Sequence, residues 1–168
     1  PTGFDNTTWQ NTTIGSYSIY NNDLANNTAY GKLYNWYAVS DGRGLCPIGW
    51  HVPSDAEFTI LLNFLDPSQS STAIGTQSSI AGGKLKDTLN WNSPNTGANN
   101  ESGFSGLPGG YRSWNSSFQT ISNIGNWWKS SENNSYSAWH FTLYTLTTNV
   151  NRGWASKTYG YSVRCLRD

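Results

Sequence analysis

One stretch of this chain carries a strong local signal, and it sets a helix near the middle. Pro53-Ser54-Asp55-Ala56-Glu57 leads straight into an apolar run over 58–65. Ser54 and Glu57 have the spacing of a capping box, in which each side chain satisfies the other residue's free amide. Asp55 puts negative charge in the first turn, where the helix dipole favours it. Phe58, Leu61, Leu62 and Leu65 recur at i, i+3, i+4 and i+7 and form one apolar face. Asp66-Pro67 stops the helix. A second, shorter helix is expected over 28–37, where Tyr30, Leu33, Tyr34 and Tyr37 share a face.

Little else is periodic. Asparagine occurs twenty times, and Ser, Thr and Gly are frequent. These residues bond their own backbone or tolerate positive φ, so turns should dominate. The Ser/Thr/Gln-rich 68–79 segment and the 90–101 segment read as long exposed loops, the first of them mobile. Alternation over 138–146 predicts a strand, with sheet partners at 149–154 and 161–166 and an edge strand around 17–20. No repeat of solenoid or propeller length is present. The chain reads as one mixed α+β domain over 1–168 with much irregular backbone.

Aromatic content makes such a chain foldable. Nine Trp and ten Tyr stand in for scarce aliphatics, since each ring buries roughly 150–250 Å². Ten Lys plus Arg balance ten Asp plus Glu and are spread thinly. That leaves no basic face for nucleic acid or an anionic membrane. No apolar run approaches the roughly 20 residues of a membrane helix, so direct insertion is not expected. The chain opens at Pro1 without Met, which reads as a trimmed chain whose targeting segment has been removed. Cys46 and Cys165 fit either one disulfide or two buried thiols. The polar, Lys-poor composition favours the bridge and an oxidising compartment.

Several segments carry a likeness. They include Tyr30-Gly31-Lys32-Leu33-Tyr34-Asn35-Trp36, Leu45-Cys46-Pro47-Ile48-Gly49-Trp50-His51, and Glu101-Ser102-Gly103-Phe104. Leu107-Pro108-Gly109-Gly110-Tyr111-Arg112 and Ser162-Val163-Arg164-Cys165-Leu166-Arg167 follow in the same order. From about residue 21 onward the chain resembles the Fibrobacter succinogenes major paralogous family. More distantly it is similar to the domain of formylglycine-generating enzymes. The resemblance implies a C-type-lectin-like fold: two short helices, a small twisted antiparallel sheet and long irregular loops. It also implies a bridge from the first-helix region to the last strand, which suits Cys46 and Cys165. It further implies an extracellular or cell-surface protein of Bacteroidota or related bacteria, displayed as a lipoprotein or on a pilus or phage tail.

Some relatives of this kind resemble variable proteins of diversity-generating retroelements, which carry a ligand surface near the C-terminus. On that basis the expected ligand-binding residues are His140, Thr142, Tyr144, Thr145, Thr147, Asn149, Asn151, Trp154, Ser156 and Tyr159. Several are reachable from asparagine codons by adenine changes; Trp154 is not. The residue types agree, because Tyr and Trp give rigid contact area while Ser and Asn adapt their hydrogen bonds. Alternation favours core for Trp128 and Trp139, and binding for Tyr144, Trp154 and Tyr159. The expected partner is a protein or glycan on another cell or host, with oligomeric state open.

Other chemistry is weakly signalled. His51 and His140 have no third partner for zinc. Calcium is conceivable from Asp87, Glu101, Glu132, Asn99 and Asn100, though solvated loop acids are the commoner case and no cofactor is expected. No Gly-x-Ser-x-Gly elbow, phosphate loop or His-Glu-x-x-His occurs, so the chain is not expected to be an enzyme. The rival readings are an oxidase-type relative of formylglycine-generating enzymes and a structural envelope or appendage module. Arg112 and Arg164 are expected to anchor loop carbonyls.

Overall fold

The structure, a computed structural model, describes residues 1–69 and 74–168. In chain order its elements are α1 (Asn6–Asn11), β1 (Tyr17–Ser18), α2 (Leu24–Tyr30), β2 (Leu33–Tyr34) and α3 (Trp36–Val39). Then come β3 (Trp50–His51), α4 (Asp55–Leu65), β4 (Gly75–Ser78), α5 (Ala81–Leu85), β5 (Tyr111–Arg112) and β6 (Phe118–Gln119). The chain ends with β7 (Ile124–Asn134), β8 (Ser137–Tyr144), β9 (Val150–Ser156) and β10 (Leu166–Arg167). The fold is α+β. Its centre is a four-stranded antiparallel sheet in the order β4-β9-β8-β7. The pairs β1–β2, β3–β10 and β5–β6 form small antiparallel sheets around it.

Helix α4 forms as its sequence requires. Ser54 accepts from the Glu57 amide, and the Glu57 carboxylate accepts from the Ser54 amide at 2.8 Å. Phe58, Leu62 and Leu65 then pack with Leu85, Phe141 and Leu143 on one face of the sheet. Phe58 stacks on Phe141 at 3.8 Å and Trp127 stacks on the same ring at 5.0 Å. The opposite face is covered by Trp36, Trp128 and Tyr161 over Ala138 and Ala155. Both sides of this small sheet are therefore buried.

The expected helix over 28–37 is instead three elements. Gly31 takes φ 78°, a left-handed conformation that ends α2. Leu33 and Tyr34 pair with Ser18 and Tyr17, and Asn35 then caps α3 through the Ala38 amide. Of the strand expected around 17–20 only Tyr17–Ser18 forms, in this small sheet and not at the edge of the main one, and Tyr20–Asn22 is a 3-10 turn. Five α-helices are present among the described residues, not two. The 161–166 segment is not a strand of the main sheet: Tyr161 bridges to Tyr34, Ser162 to Trp127, and only Leu166–Arg167 pairs, with β3. Within the loop expected at 68–79, Gly75–Ser78 is β4, and 70–73 lie outside the described residues.

Two linkages close the architecture. Cys46 and Cys165 are joined by a disulfide beside the β3–β10 pair, with Cα atoms 5.9 Å apart. At the sheet centre Asp55, the first residue of α4, faces two buried cations. Lys129 of β7 donates to it at 2.7 Å, and Arg152 of β9 donates twice, at 2.9 and 2.7 Å. Burial opposes the Asp55 charge, but the Arg152 and Lys129 hydrogen bonds outweigh it and hold the carboxyl below its usual range. Burial pushes the Lys129 ammonium down to about 8, with Asp55 opposing.

Asp55→Ala removes the acid that Lys129 and Arg152 share inside the fold, so it should cost about 3–5 kcal/mol in urea unfolding, far more than the ordinary loss of a first-turn acid. Reducing the Cys46–Cys165 bridge, or Cys165→Ser, should remove about 2–5 kcal/mol and lower Tm by several degrees in calorimetry.

Candidate functional site

The sequence-predicted binding residues lie on β8, on β9 and in the turns after them. Antiparallel register sets Trp139 opposite Trp154, His140 opposite Gly153 and Thr142 opposite Asn151. Ala138, His140 and Thr142 therefore share the face that Tyr161 covers. His140 packs 4.8 Å from Tyr161 and edge-on to Trp128 at 6.2 Å. Its ring lies across Gly153, where an added Cβ would sit 3.1 Å from Nε2. Burial pushes this imidazole down to about 4.

Tyrosines extend outward from this pair. Tyr111, Tyr159 and Tyr161 contact one another with centroids 5.6–6.1 Å apart. Burial, then the neighbouring Tyr159, Tyr111 and Tyr144 hydroxyls, raise Tyr161 well above its normal range. Next to them a groove of about 380 Å³ is lined by Trp114, Trp154, Ala155, Ser156, Tyr159 and Tyr161. Among the described residues, β4 pairs with β9 only as far as Arg152, and Trp154, two residues further on, is 55% exposed. Trp114 is 63% exposed at the tip of the β5–β6 hairpin. At neutral pH this is a strip of uncharged rings and hydroxyls.

Trp114 was not among the sequence-predicted residues. Its signal was present: a lone Trp inside the turn Ser113-Trp114-Asn115-Ser116 has no neighbour to pack against. Beneath it, Arg112 is buried between the Trp9 and Phe118 rings and donates to the Ser116 and Phe4 carbonyls. Burial pushes its guanidinium down to about 10. The hairpin tip is therefore held rigidly from below.

Other predicted residues lie elsewhere. Tyr144, Thr145 and Thr147 border a second hollow with Ile124 and Leu146, about 16 Å along β8 from Trp154 by strand rise. Thr142 and Thr145 are buried; Thr142 donates to Asn126 at 2.8 Å and Thr145 to the Asn92 carbonyl at 2.5 Å. Both hydroxyls are thus engaged within the fold. Asn151 accepts from Thr76 on β4, Ser156 bonds Thr158, and Asn149 is half-buried in the turn before β9. The turn carrying Tyr144 and Thr147 is fixed by Lys86, whose buried ammonium donates to the Thr96, Tyr144 and Thr147 carbonyls at 2.9–3.0 Å. Trp128 is core, while Trp139 is half-buried under the Arg152 guanidinium at 3.4 Å.

The residues considered for calcium do not meet. Glu101 pairs with Lys84 and Glu132 with Lys157, while Asp87 and Asn99 each accept from a local amide. Asn100 bonds Ser105. Among the described residues no group of three His, Cys, Asp or Glu is placed to hold a metal. Also among them, no helix is long and apolar enough to cross a membrane.

The arrangement defines a small disulfide-bridged α+β domain presenting an uncharged aromatic strip beside its main sheet. The chain belongs to the Fibrobacter succinogenes major domain family, whose description matches residues 2–167. No curated protein and no solved structure matches it.

His140 yields a pH test. Its imidazole titrates near 6.5 when unfolded and about 4 when folded, so between these values the unfolded chain binds the extra proton. Stability should fall as pH drops from 6.5 to 4.5. His51 acts in the opposite sense, because the Asp168 and Glu57 hydrogen bonds raise it. Accordingly, the Tm loss between pH 7 and 4.5 should shrink in His140→Gln and grow in His51→Gln. An unchanged slope in both would refute the assignment.

Proposed function

We propose that this domain is a C-type-lectin-like recognition module, exported and displayed at the cell surface, and that its aromatic strip binds a protein or glycan on another cell or host. The observation that carries the proposal is the groove lined by the exposed Trp114 and Trp154 together with Tyr159 and Tyr161. Large rings kept in solvent beside a rigid core favour contact with a partner, because preorganised aromatics bury area at low entropy cost. The disulfide supports an oxidising compartment. Both sulfurs are in the bridge, which leaves no thiol for oxidase-type chemistry and favours binding over catalysis. The strip overlaps the 140–159 stretch expected to vary in retroelement-diversified relatives, and comparing the gene with a nearby near-repeat would test that part.

Recognition is proposed to need no calcium. The Lys86 ammonium already donates to the carbonyls that converge from the 96 and 144–147 turns, so these oxygens have a cationic partner from the chain itself.

A glycan array and a pull-down with the whole chain test the proposal. Trp114→Ala with Trp154→Ala should abolish the captured signal, with Tm shifted by less than about 3 °C, since both rings are largely solvated. EDTA should change neither the signal nor Tm. Retention of binding by the double variant would sink the site assignment.

A further inference from the structure

The ten Lys and Arg residues divide unevenly. Arg43, Lys84, Lys129, Arg152 and Lys157 are ion-paired. Lys86 and Arg112 are buried and directed at backbone carbonyls. That leaves Lys32, Arg164 and Arg167, and the first two line one cleft. Among the described residues neither is ion-paired. Arg164 was expected to anchor loop carbonyls; instead its guanidinium lies exposed, 5.5 Å from the centre of the Phe104 ring. The Lys32 ammonium lies 4.6 Å from the centre of the Tyr17 ring.

The cleft has a volume of about 380 Å³ and lies between the α2–β2 connection and the 162–164 segment. Tyr30, Tyr34, Phe104 and Trp127 contribute to its lining, and no described lining residue is acidic. Trp127 is itself anchored by stacking on Phe141 and by an edge contact from Phe104 at 5.7 Å. The acid nearest by shared lining is Glu57, in the adjoining hollow that also contains Phe104 and Arg164, and it is engaged by Ser54 and His51. The cleft shares only peripheral chemistry with the aromatic strip and no residue with its groove.

We propose that this cleft is a second binding site, for a carboxylate-bearing ligand with a ring-sized body. The aromatic lining takes the body. A guanidinium matches a carboxylate as a two-pronged donor, and the lysine adds a point charge. The volume falls within the range of small-molecule sites and suits one sugar or aromatic ring.

Calorimetric titration of the whole chain tests this with three probes: glucuronate, N-acetylphenylalanine and glucose. Saturable binding of at least one carboxylate is expected, with none for glucose. The two carboxylates distinguish a sugar source from a peptide C-terminus. Arg164→Gln and Lys32→Gln should each weaken binding about tenfold, and Trp114→Ala with Trp154→Ala should leave it unchanged, which separates this site from the strip. Should Arg164→Gln misfold beside the disulfide, Lys32→Gln decides. Absence of saturable carboxylate binding, or equal affinity in a folded Lys32→Gln or Arg164→Gln protein, overturns the proposal.

Discussion

A single carboxylate shared by two buried cations holds the centre of this molecule. Asp55 begins α4, Lys129 lies on β7 and Arg152 on β9, so one acid ties the helix to two strands separated by β8. Such a cluster is costly to desolvate, and its geometry must be good to offset that cost. Here Arg152 engages both carboxylate oxygens, Lys129 takes one of them, and the amide of Asp55 itself donates to Ser131. The helix therefore has one seating on the sheet, and the Phe58–Phe141 stack follows from it.

The same economy recurs wherever charge is buried. Lys129 lies over Phe58, Lys157 over Trp36, Lys86 over Trp91 and Arg112 over Trp9. A chain short of aliphatics packs its cationic stems against rings and directs the charged ends to acids or carbonyls. Four buried indoles are satisfied in turn: Trp9, Trp36, Trp91 and Trp128 each donate to a backbone carbonyl. These bonds join segments far apart in sequence, as when Trp128 reaches Tyr34. Aromatic content thus replaces both aliphatic volume and part of the regular hydrogen-bond ladder.

What was legible in the sequence was what is decided locally. The capping box of α4 and the β8–β9 pair follow from spacing and alternation within a dozen residues. Strand β7 was not read, because its outer half carries Ser130, Ser131, Glu132, Asn133 and Asn134, and its pairing slips at two places. Helix α5 was not read either. Its Gly82 looks like a helix breaker, yet a Cβ there would meet the Thr148 carbonyl oxygen at 2.7 Å, so close approach of two backbones requires it. The aromatic strip was half legible: Trp154 and Tyr159 were found by residue type, whereas Trp114 and Tyr111 arrive from another hairpin. Thr142 and Thr145 were included on the resemblance to variable relatives, which marks a stretch of chain without saying which of its side chains are covered.

Covering both faces of a four-stranded sheet restricts where partners can bind. The sheet centre is closed by α4 on one side and by Trp36, Trp128 and Tyr161 on the other. Two hollows lie where that cover ends: the groove beside Trp154 and the cleft beside Trp127. Because interior pairing takes up most of the charges, the first is lined by uncharged side chains. The second differs because Lys32 and Arg164 are left outside that pairing. The binding proposed for that cleft draws its charge from two residues that a highly charged surface would mask.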